Sequence, residues 1–311
     1  MIDHTTLMPS ADKEFVETSY IQSIMARAKN YLEAGFPVHF RGPAGTGKST
    51  LAKHLASQLG RPVVLIHGDE QMDTNRLVGG ESGYQFKKVR DNFISTVLKE
   101  EEVMTKHWSE NQVTSACKHG YTLIYDEFTR SRPEANNIFL SILQDRLLTL
   151  NDHSNRQDPY ISVHRDFKAI FTSNPEEYAG THKTQDALRD RMVTIDLEYP
   201  DFDTELNIVY NKARLPMDVC ILLTKIIRTL RNLKEYDSAP TIRSGIMIAK
   251  TLTVMDMEPS DNMPLFITYC QDILTSNASP SIKRKNQELI KKVISEIVAS
   301  EMNQKSRFLA S

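Results

Sequence analysis

Hydrophobic residues in the first two thirds of the chain fall into five short runs, each bounded by turn residues. The runs are rich in β-branched and aromatic residues, which favours strands over helices. Short continuous apolar runs of this kind are typical of strands buried in a parallel sheet. We therefore predict five parallel strands at Phe36–Phe40, Val63–His67, Tyr121–Tyr125, Phe167–Thr172 and Val193–Leu197.

The segments between these runs carry apolar residues at helical spacing, as in Leu51–Leu59 and Ala135–Leu143. The second helix also has a start signal. Ser131 and Glu134 stand at the spacing of a capping box, and Pro133 occupies the first turn. Because strands and helices alternate along the chain, the pattern predicts an α/β fold in which helices flank a parallel sheet.

The last third of the chain has helical stripes instead of strand-like runs, for example over Val219–Leu230 and Leu289–Val298. This change of pattern predicts a separate all-α domain. We place the α/β domain at residues 1–200 and the helical domain at residues 201–311, with Tyr199–Glu205 as the linker between them.

Two segments are longer than the connections that an α/β fold needs. The first, about residues 68–120, begins with glycines that favour a flexible loop carrying Tyr84 and Phe86. A helical period follows this loop through Phe93, Val97 and Met104. The second segment, about residues 148–164, has two β-like runs around a polar turn and predicts a hairpin. The two loop aromatics either grip a substrate or pack within the loop.

Composition and charge narrow the class of protein. Hydrophobic residues make up 40% of the chain and charged residues 25%, which excludes a disordered or fibrous protein. The 38 Lys and Arg residues nearly balance the 40 Asp and Glu residues, which argues against a protein that coats nucleic acid. The three cysteines are far apart and fit reduced core residues. With no secretory signal and no apolar stretch of membrane-spanning length, we expect a cytoplasmic protein without membrane insertion.

The strongest chemical signal is the sequence GPAGTGKS at Gly42–Ser49, a complete GxxxxGK[ST] motif between a predicted strand and a predicted helix. In such a P-loop, backbone N–H groups and the helix N-terminus bind phosphates. Lys48 then reaches the β- and γ-phosphates, and Ser49 binds Mg²⁺. ATP and Mg²⁺ are therefore the predicted cofactors. The predicted nucleotide-binding residues are Gly42, Pro43, Ala44, Gly45, Thr46, Gly47, Lys48, Ser49 and Thr50.

A strand that ends in two acids, TLIYDE at Thr122–Glu127, supplies the partner motif. We predict that Asp126 binds Mg²⁺ together with Ser49 and that Glu127 is the general base for the attacking water. The fourth strand ends in FTSNP, so Asn174 emerges at the same edge of the sheet. As a sensor, its amide hydrogen-bonds the γ-phosphate or the water. The alternative is an Asn-Pro turn.

Phosphoryl transfer also needs positive charge near the transition state, and an arginine usually supplies it. Arg189 and Arg191 lead into the fifth strand, where an arginine points towards a neighbouring subunit, and Arg191 is the first choice for this role. Arg243 opens a helix of the second domain and is predicted as a lid contact to the γ-phosphate. Arg130 and Arg132 follow the acidic pair and are further candidates. For each arginine, a surface ion pair is the alternative.

The chain resembles AAA+ ATPases of the MoxR type, because it has the motifs GPAGTGKS, LIYDE, FTSN, LRDR and APTIR in this order. Two longer strings, LGRPVVLIHGDE and ACKHGYTLIYDEFTRSRPEANN, narrow the resemblance to the gas vesicle family of these ATPases. The resemblance implies a P-loop AAA+ core with a five-stranded parallel sheet between helices, plus a C-terminal all-α lid domain. It also implies a homo-oligomeric ring, with a hexamer favoured. In one respect the chain departs from the pattern, since the predicted lid arginine, Arg243, lies in APTIRSG and not in the string around a Pro-Arg pair that is more usual in the MoxR type.

The function that the resemblance implies is that of an ATP-hydrolysing assembly factor for gas vesicles. It would remodel or deliver shell components, with shell or accessory proteins as partners and the vesicle as a place of association. The alternative is a nucleotide-gated scaffold or minor vesicle component with little turnover, which has no need of Glu127. A nucleic-acid motor is a third reading, but the chain lacks a basic stripe with interleaved aromatic residues, so we expect no nucleic-acid partner.

Overall fold

The computed structural model describes Met8 and residues 14–91, 99–150, 160–174, 186–233, 239–276 and 284–309. These residues form two compact units. The first unit contains Ala26–Gly42 and Lys48–Leu197, and the second contains Pro43–Gly47 and the described parts of Asp12–Met25 and Glu198–Ser311. Each unit has its own hydrophobic core.

Three sheets are present in the described part of the chain. Their strands are β1 (Val38–Arg41), β2 (Val63–His67), β3 (Gly79–Asp91), β4 (Lys99–Glu110), β5 (Thr122–Asp126), β6 (Leu147–Thr149), β7 (Tyr160–Ser162), β8 (Lys168–Ser173) and β9 (Val193–Asp196). The main sheet has five strands in the order β2-β5-β8-β1-β9, and all of its neighbours pair in parallel. Each of these five strands overlaps one of the five apolar runs, with bounds that differ by at most two residues, so the predicted parallel sheet is confirmed.

Helices flank this sheet and make up the C-terminal region. Up to residue 200 they are α1 (Ser19–Glu33), α2 (Lys48–Gln58), α3 (Thr74–Val78), α4 (Gln112–His119), α5 (Pro133–Asn136), α6 (Ile138–Gln144) and α7 (Asp186–Arg189). The later helices are α8 (Phe202–Ala213), α9 (Met217–Arg231), α10 (Ile242–Met255), α11 (Met263–Ser276) and α12 (Arg284–Leu309). The described part of the C-terminal region is therefore helical, as predicted. No helix among the described residues is both long enough and apolar enough to span a membrane.

Aromatic side chains form the centre of the core of the first unit. The ring of Phe171, on β8, lies 5.4 Å from the rings of both Phe128 and Phe139, in edge-to-face geometry. Tyr125, on β5, packs against all three rings. Because all four side chains are fully buried, this cluster fixes the turn after β5 against β8.

The capping box predicted at Ser131 and Glu134 is wrong. Helix α5 begins at Pro133 with Arg132 in the N-cap position, and no side chain caps it. The Ser131 hydroxyl instead accepts a hydrogen bond of 2.6 Å from the hydroxyl of Tyr125. A buried tyrosine hydroxyl needs a hydrogen-bond partner. Because the Ser131 hydroxyl serves as that partner, it does not cap the helix.

The segment between β2 and α4 contains an antiparallel hairpin formed by β3 and β4. Tyr84 and Phe86 lie in β3, so the prediction of a flexible loop at these residues is wrong. The predicted helical period is also wrong at Met104, which lies opposite Phe86 in β4. Phe93 and Val97 lie outside the described residues. Periodicity within one segment misses this fold because each strand obtains its backbone hydrogen bonds from the other.

The second elaboration also contains paired strands. Strand β6 pairs with β7 in antiparallel orientation, with Leu148 opposite Ile161. These strands lie within the span where the sequence suggests a hairpin, and residues 151–159 between them are outside the described part. Leu148 is fully buried in the core of the first unit, so the pair packs against that core.

A buried ion-pair cluster joins α8 and α9 in the second unit. The carboxylate of Glu205, on α8, lies 2.9 Å from Nη1 of Arg228 and 2.8 Å from Nη1 of Arg231, both on α9. The Arg231 guanidinium also stacks 4.0 Å from the centre of the Tyr199 ring. Since Glu205 is almost completely buried, its charge requires both partners.

Candidate nucleotide site

The strand end before the P-loop is fixed by contacts with β9. Arg41 donates to Asp196 from Nε at 2.5 Å and from Nη2 at 2.8 Å, a bidentate ion pair. A Cβ on Gly42 would lie 2.2 Å from the backbone oxygen of Leu197, so only glycine fits at this close approach. The P-loop therefore starts at a fixed point at the carboxyl edge of the sheet.

Two further glycines shape the loop itself. Gly45 has φ +80° and Gly47 has φ +86°, both in the left-handed region that favours glycine. The hydroxyl of Thr46, between them, donates to the carbonyl of Pro43 at 3.0 Å and closes a turn. This backbone is the kind in which successive N–H groups line a concave anion site.

Lys48 is the first residue of α2, and its side chain is buried. Its Nζ donates to the carbonyl of Gly42 at 2.8 Å, so the ammonium group lies beside the first residue of the GPAGTGKS motif. The helix N-terminus adds positive potential at the same place. A buried ammonium group and a helix N-terminus together favour a polyphosphate ligand. Thr50, predicted to bind nucleotide, is exposed in the first turn of α2.

Ser49 and Asp126 meet across the sheet edge. The Ser49 hydroxyl donates to Oδ1 of Asp126 at 2.7 Å, and the Asp126 carboxylate is 6% exposed. Hydroxyl and carboxylate oxygens are the hard ligands that Mg²⁺ takes in nucleotide sites, where it keeps several waters. This donor set therefore fits the predicted Mg²⁺ ion, with Ser49 and Asp126 as its protein ligands.

Glu127 follows directly at the end of β5. Its backbone lies in the left-handed region, with φ 53° and ψ 40°, and a 3₁₀ turn at Phe128–Arg130 begins after it. Oε2 of the Glu127 carboxylate forms an ion pair with Nη1 of Arg130, at a distance of 3.0 Å. Both side chains are more than two fifths exposed, so water reaches the carboxylate.

Asn174 follows β8 and is 6% exposed. Strand β8 lies between β5, which carries the acidic pair, and β1, which leads into the P-loop. Because parallel strands end at the same edge of a sheet, the topology brings these three segments together. The segment after Asn174, which includes the Asn-Pro turn, lies outside the described residues.

The arginine candidates are spread over several elements. Arg191 donates to Gln144 Oε1 from Nε at 2.8 Å and also to the carbonyl of Ala187, so its own chain holds its guanidinium. Arg189 is the exposed last residue of α7. Arg130 pairs with Glu127, as described above, and Arg132 precedes α5.

Arg243 is the exposed second residue of α10, in the second unit. Within that unit, the α-carbon of Gly45 lies against Thr241, the N-cap residue of α10: a Cβ on Gly45 would meet the Thr241 Cβ at 2.4 Å. Arg243 therefore belongs to a segment that contacts the apex of the P-loop.

Sequence reasoning missed three residues that contact Asp126, two through polar side chains and one through its backbone N–H. Thr172 donates from Oγ1 to Asp126 Oδ1 at 2.5 Å. His67, the last residue of β2, places Nδ1 3.5 Å from Asp126 Oδ2 and is largely exposed. Gly68 donates its N–H to the carbonyl of Asp126 at 2.8 Å. Position was the signal that could have found them, because all three lie at or next to the carboxyl ends of β2 and β8, the strands that neighbour β5 in the sheet.

A buried histidine connects three strands just before Asn174. His39 Nε2 lies 2.8 Å from Ser173 Oγ, and His39 Nδ1 lies 3.1 Å from Thr194 Oγ1. Burial, together with the nearby charge of Arg41, lowers the pKa of His39 to about 4. The imidazole is therefore neutral at pH 7, and it links β1, β8 and β9 through hydrogen bonds.

The sequence and the fold match known proteins. The family model for the AAA domain (dynein-related subfamily) matches residues 37–192. The gas vesicle ATPase GvpN of Ancylobacter aquaticus is 44% identical to this chain over 88% of this chain and 76% of that protein. The gas vesicle ATPase GvpN1 of Halobacterium salinarum is 36% identical over 86% of this chain and 76% of that protein.

Solved structures show the same fold at low identity. A Thermotoga maritima RuvB mutant matches with a TM-score of 0.52 and 16% identity, over 86% of this chain and 73% of that chain. The RuvB Holliday junction branch migration motor of the same organism matches with a TM-score of 0.51 and 15% identity, over 85% of this chain and 72% of that chain. At such identity the likeness concerns the fold alone.

Proposed function

This chain belongs to the GvpN family of AAA ATPases, and we propose that it is an assembly factor that couples ATP hydrolysis to the growth of gas vesicles. The observation that carries the proposal is the contact between Ser49 and Asp126, with Glu127 next in the chain. Ser49, on α2, and Asp126 supply the ligands for Mg²⁺, and Glu127 supplies a carboxylate base at the end of β5.

Lys48 and the loop amides bind the phosphates of ATP, while Ser49 and Asp126 hold the Mg²⁺ ion. A bound Mg²⁺ ion would supply positive charge that offsets the negative charge on the phosphates during phosphoryl transfer. Glu127 accepts the proton of the attacking water, because its carboxylate is exposed at the sheet edge. Asn174 orients that water or the γ-phosphate through its amide.

We further propose a homo-oligomeric ring, with a hexamer favoured, in which arginines complete the site. Arg191, with Arg189 as the second choice, stabilises the transition state in a neighbouring subunit. The hydrogen bond from Arg191 Nε to Gln144 Oε1 supports this role because it holds the guanidinium in one orientation. Arg243 contacts the γ-phosphate from the lid, and the contact between Thr241 and Gly45 supports that assignment.

The partners in this proposal are gas vesicle shell or accessory proteins, and the protein works in the cytoplasm beside forming vesicles. Its relatives are named as gas vesicle ATPases, which supports this setting. Hydrolysis is favoured over a passive nucleotide-gated scaffold, because a scaffold has no use for a water-accessible base next to the metal ligand.

Vesicle growth in cells that lack the endogenous gene tests the proposal. Such cells would produce the wild-type chain, Glu127→Gln, or the matched control Glu134→Gln, which makes the same chemical change at an exposed residue of α5. Electron microscopy would measure vesicle length. We expect wild type and Glu134→Gln to restore full-length vesicles and Glu127→Gln to leave short ones. Full-length vesicles with Glu127→Gln would support the scaffold instead.

A further inference from the structure

The hydroxyl of Thr172 contacts both residues of the acidic pair. Its Oγ1 donates to Oδ1 of Asp126 at 2.5 Å and accepts the backbone N–H of Glu127 at 2.9 Å. The Thr172 side chain is completely buried. A hydroxyl can donate one hydrogen bond and accept others at the same time, and this one uses both capacities on the same turn.

That turn has a backbone conformation that a glutamate rarely adopts. Glu127 has φ 53°, in the left-handed region, where an L-residue with a long side chain is unfavourable unless its surroundings fix it. The direction of the Glu127 side chain depends on this conformation. A residue that holds the Glu127 amide therefore also determines where its carboxylate points.

Two neighbouring strands hold the turn from opposite sides. On the β2 side, the N–H of Gly68 donates to the carbonyl of Asp126 at 2.8 Å. On the β8 side, Thr172 holds the Asp126 carboxylate and the Glu127 amide. Since Asn174 is only two residues beyond Thr172, the acidic pair and the predicted sensor are attached to the same strand end.

We propose that Thr172 is a positioning residue for ATP hydrolysis, an inference that rests on the proposed function. Its hydroxyl orients the Asp126 carboxylate and keeps Glu127 in the conformation that directs the base towards water. Thr172 acts through these two residues. Its loss should therefore slow turnover, whereas the P-loop continues to bind nucleotide.

Three variants test this role. Thr172→Val keeps the shape of the side chain and removes both hydrogen bonds, and Thr172→Ser keeps the hydroxyl. Thr122→Val is the matched control, because Thr122 is a fully buried threonine of β5 whose hydroxyl has no hydrogen-bond partner among the described residues. The measurements are kcat and KM for ATP, binding of a fluorescent ATP analogue with Mg²⁺, and thermal unfolding without nucleotide.

In Thr172→Val we expect kcat to fall about 10- to 100-fold, the effect of losing a hydrogen bond to a charged group. We expect analogue binding within about 3-fold of wild type, and recovery of most turnover in Thr172→Ser. Thr122→Val should match wild type. Unchanged kcat in Thr172→Val would overturn the role, as would a parallel loss of binding, turnover and thermal stability in both Thr172 variants.

The wild-type measurement separates this inference from the proposed function. If wild type hydrolyses ATP and Thr172→Val does so equally well, the positioning role alone is wrong. If wild type binds the analogue but turns over no ATP, the proposed function fails, and the positioning role fails with it.

Discussion

A methyl group added at Gly68 should displace the acidic turn. A Cβ at this position would lie 2.2 Å from the carbonyl oxygen of Glu127, 2.9 Å from its carbonyl carbon and 3.2 Å from the Phe128 Cα. Carbon and oxygen atoms in ordinary contact are about 3.3 Å or more apart, so the two backbones must separate by roughly 1 Å. Every clashing atom is backbone, and none can move away by a side-chain rotation.

The expected losses of stability and of turnover in Gly68→Ala follow from this displacement. Overpacking of a well-packed site costs about 1–3 kcal/mol of unfolding free energy, which lowers the melting temperature by about 2–4 °C per kcal/mol. Because a displacement of about 1 Å at a catalytic group costs about 100-fold in rate, Gly68→Ala should reduce kcat by about that factor. The protein should still fold, since the cost is smaller than the stability of a typical domain.

Gly80→Ala is the matched control for this substitution. Among the residues whose side chains the structure describes, a Cβ on Gly80 would meet Asn75 alone, at 3.9 Å, which is ordinary van der Waals contact. Thermal unfolding and steady-state ATP turnover would be measured for both variants beside wild type. We expect Gly80→Ala to lie within about 0.5 kcal/mol of wild type. If Gly68→Ala had the stability and turnover of Gly80→Ala, the close packing of β2 against the acidic turn would be refuted.

Two further predictions concern charge. Lys48→Ala should weaken ATP binding at least about 100-fold by equilibrium fluorescence, because it removes the ammonium group of the P-loop, and binding equal to wild type would contradict the assignment. His39→Gln should reduce the pH dependence of stability. The folded-state pKa of about 4 lies below the ordinary 6.5, so the unfolded chain binds the extra proton and wild type loses stability as pH falls from 6.5 towards 4. Between pH 7.5 and 5.5 the wild-type protein should lose about 1.3 kcal/mol of unfolding free energy through His39, as measured by urea unfolding. An equal loss in His39→Gln would contradict the assignment of this loss to His39.

The parts of the site that consist of residues close together in the chain were predictable from the sequence. Phosphate binding needs glycines, a lysine and a hydroxyl at fixed spacing, so Gly42–Ser49 was visible at once, and the strand before Asp126 was equally clear. The main sheet was predictable for a related reason. Buried parallel strands are apolar throughout, and five such runs stand out from their surroundings.

What the sequence missed depends on contacts between distant segments. Thr172 is 46 residues from Asp126 in the chain, and nothing near Thr172 reveals that its hydroxyl faces a carboxylate. The pairing of Phe86 with Met104 likewise depends on two strands meeting, which local periodicity cannot detect. Ser131 was misread because the partner of its hydroxyl, Tyr125, belongs to the preceding strand and not to the helix.

Steady-state ATP hydrolysis by purified wild-type protein beside Glu127→Gln tests the central claim most directly. Both proteins would be measured over a range of protein concentrations, together with ATP binding. We expect both to bind ATP, and only wild type to turn it over, with activity rising more than linearly with concentration because neighbouring subunits complete the site. Equal turnover by the two proteins would contradict the role of Glu127, and no turnover by wild type despite ATP binding would contradict the account as a whole.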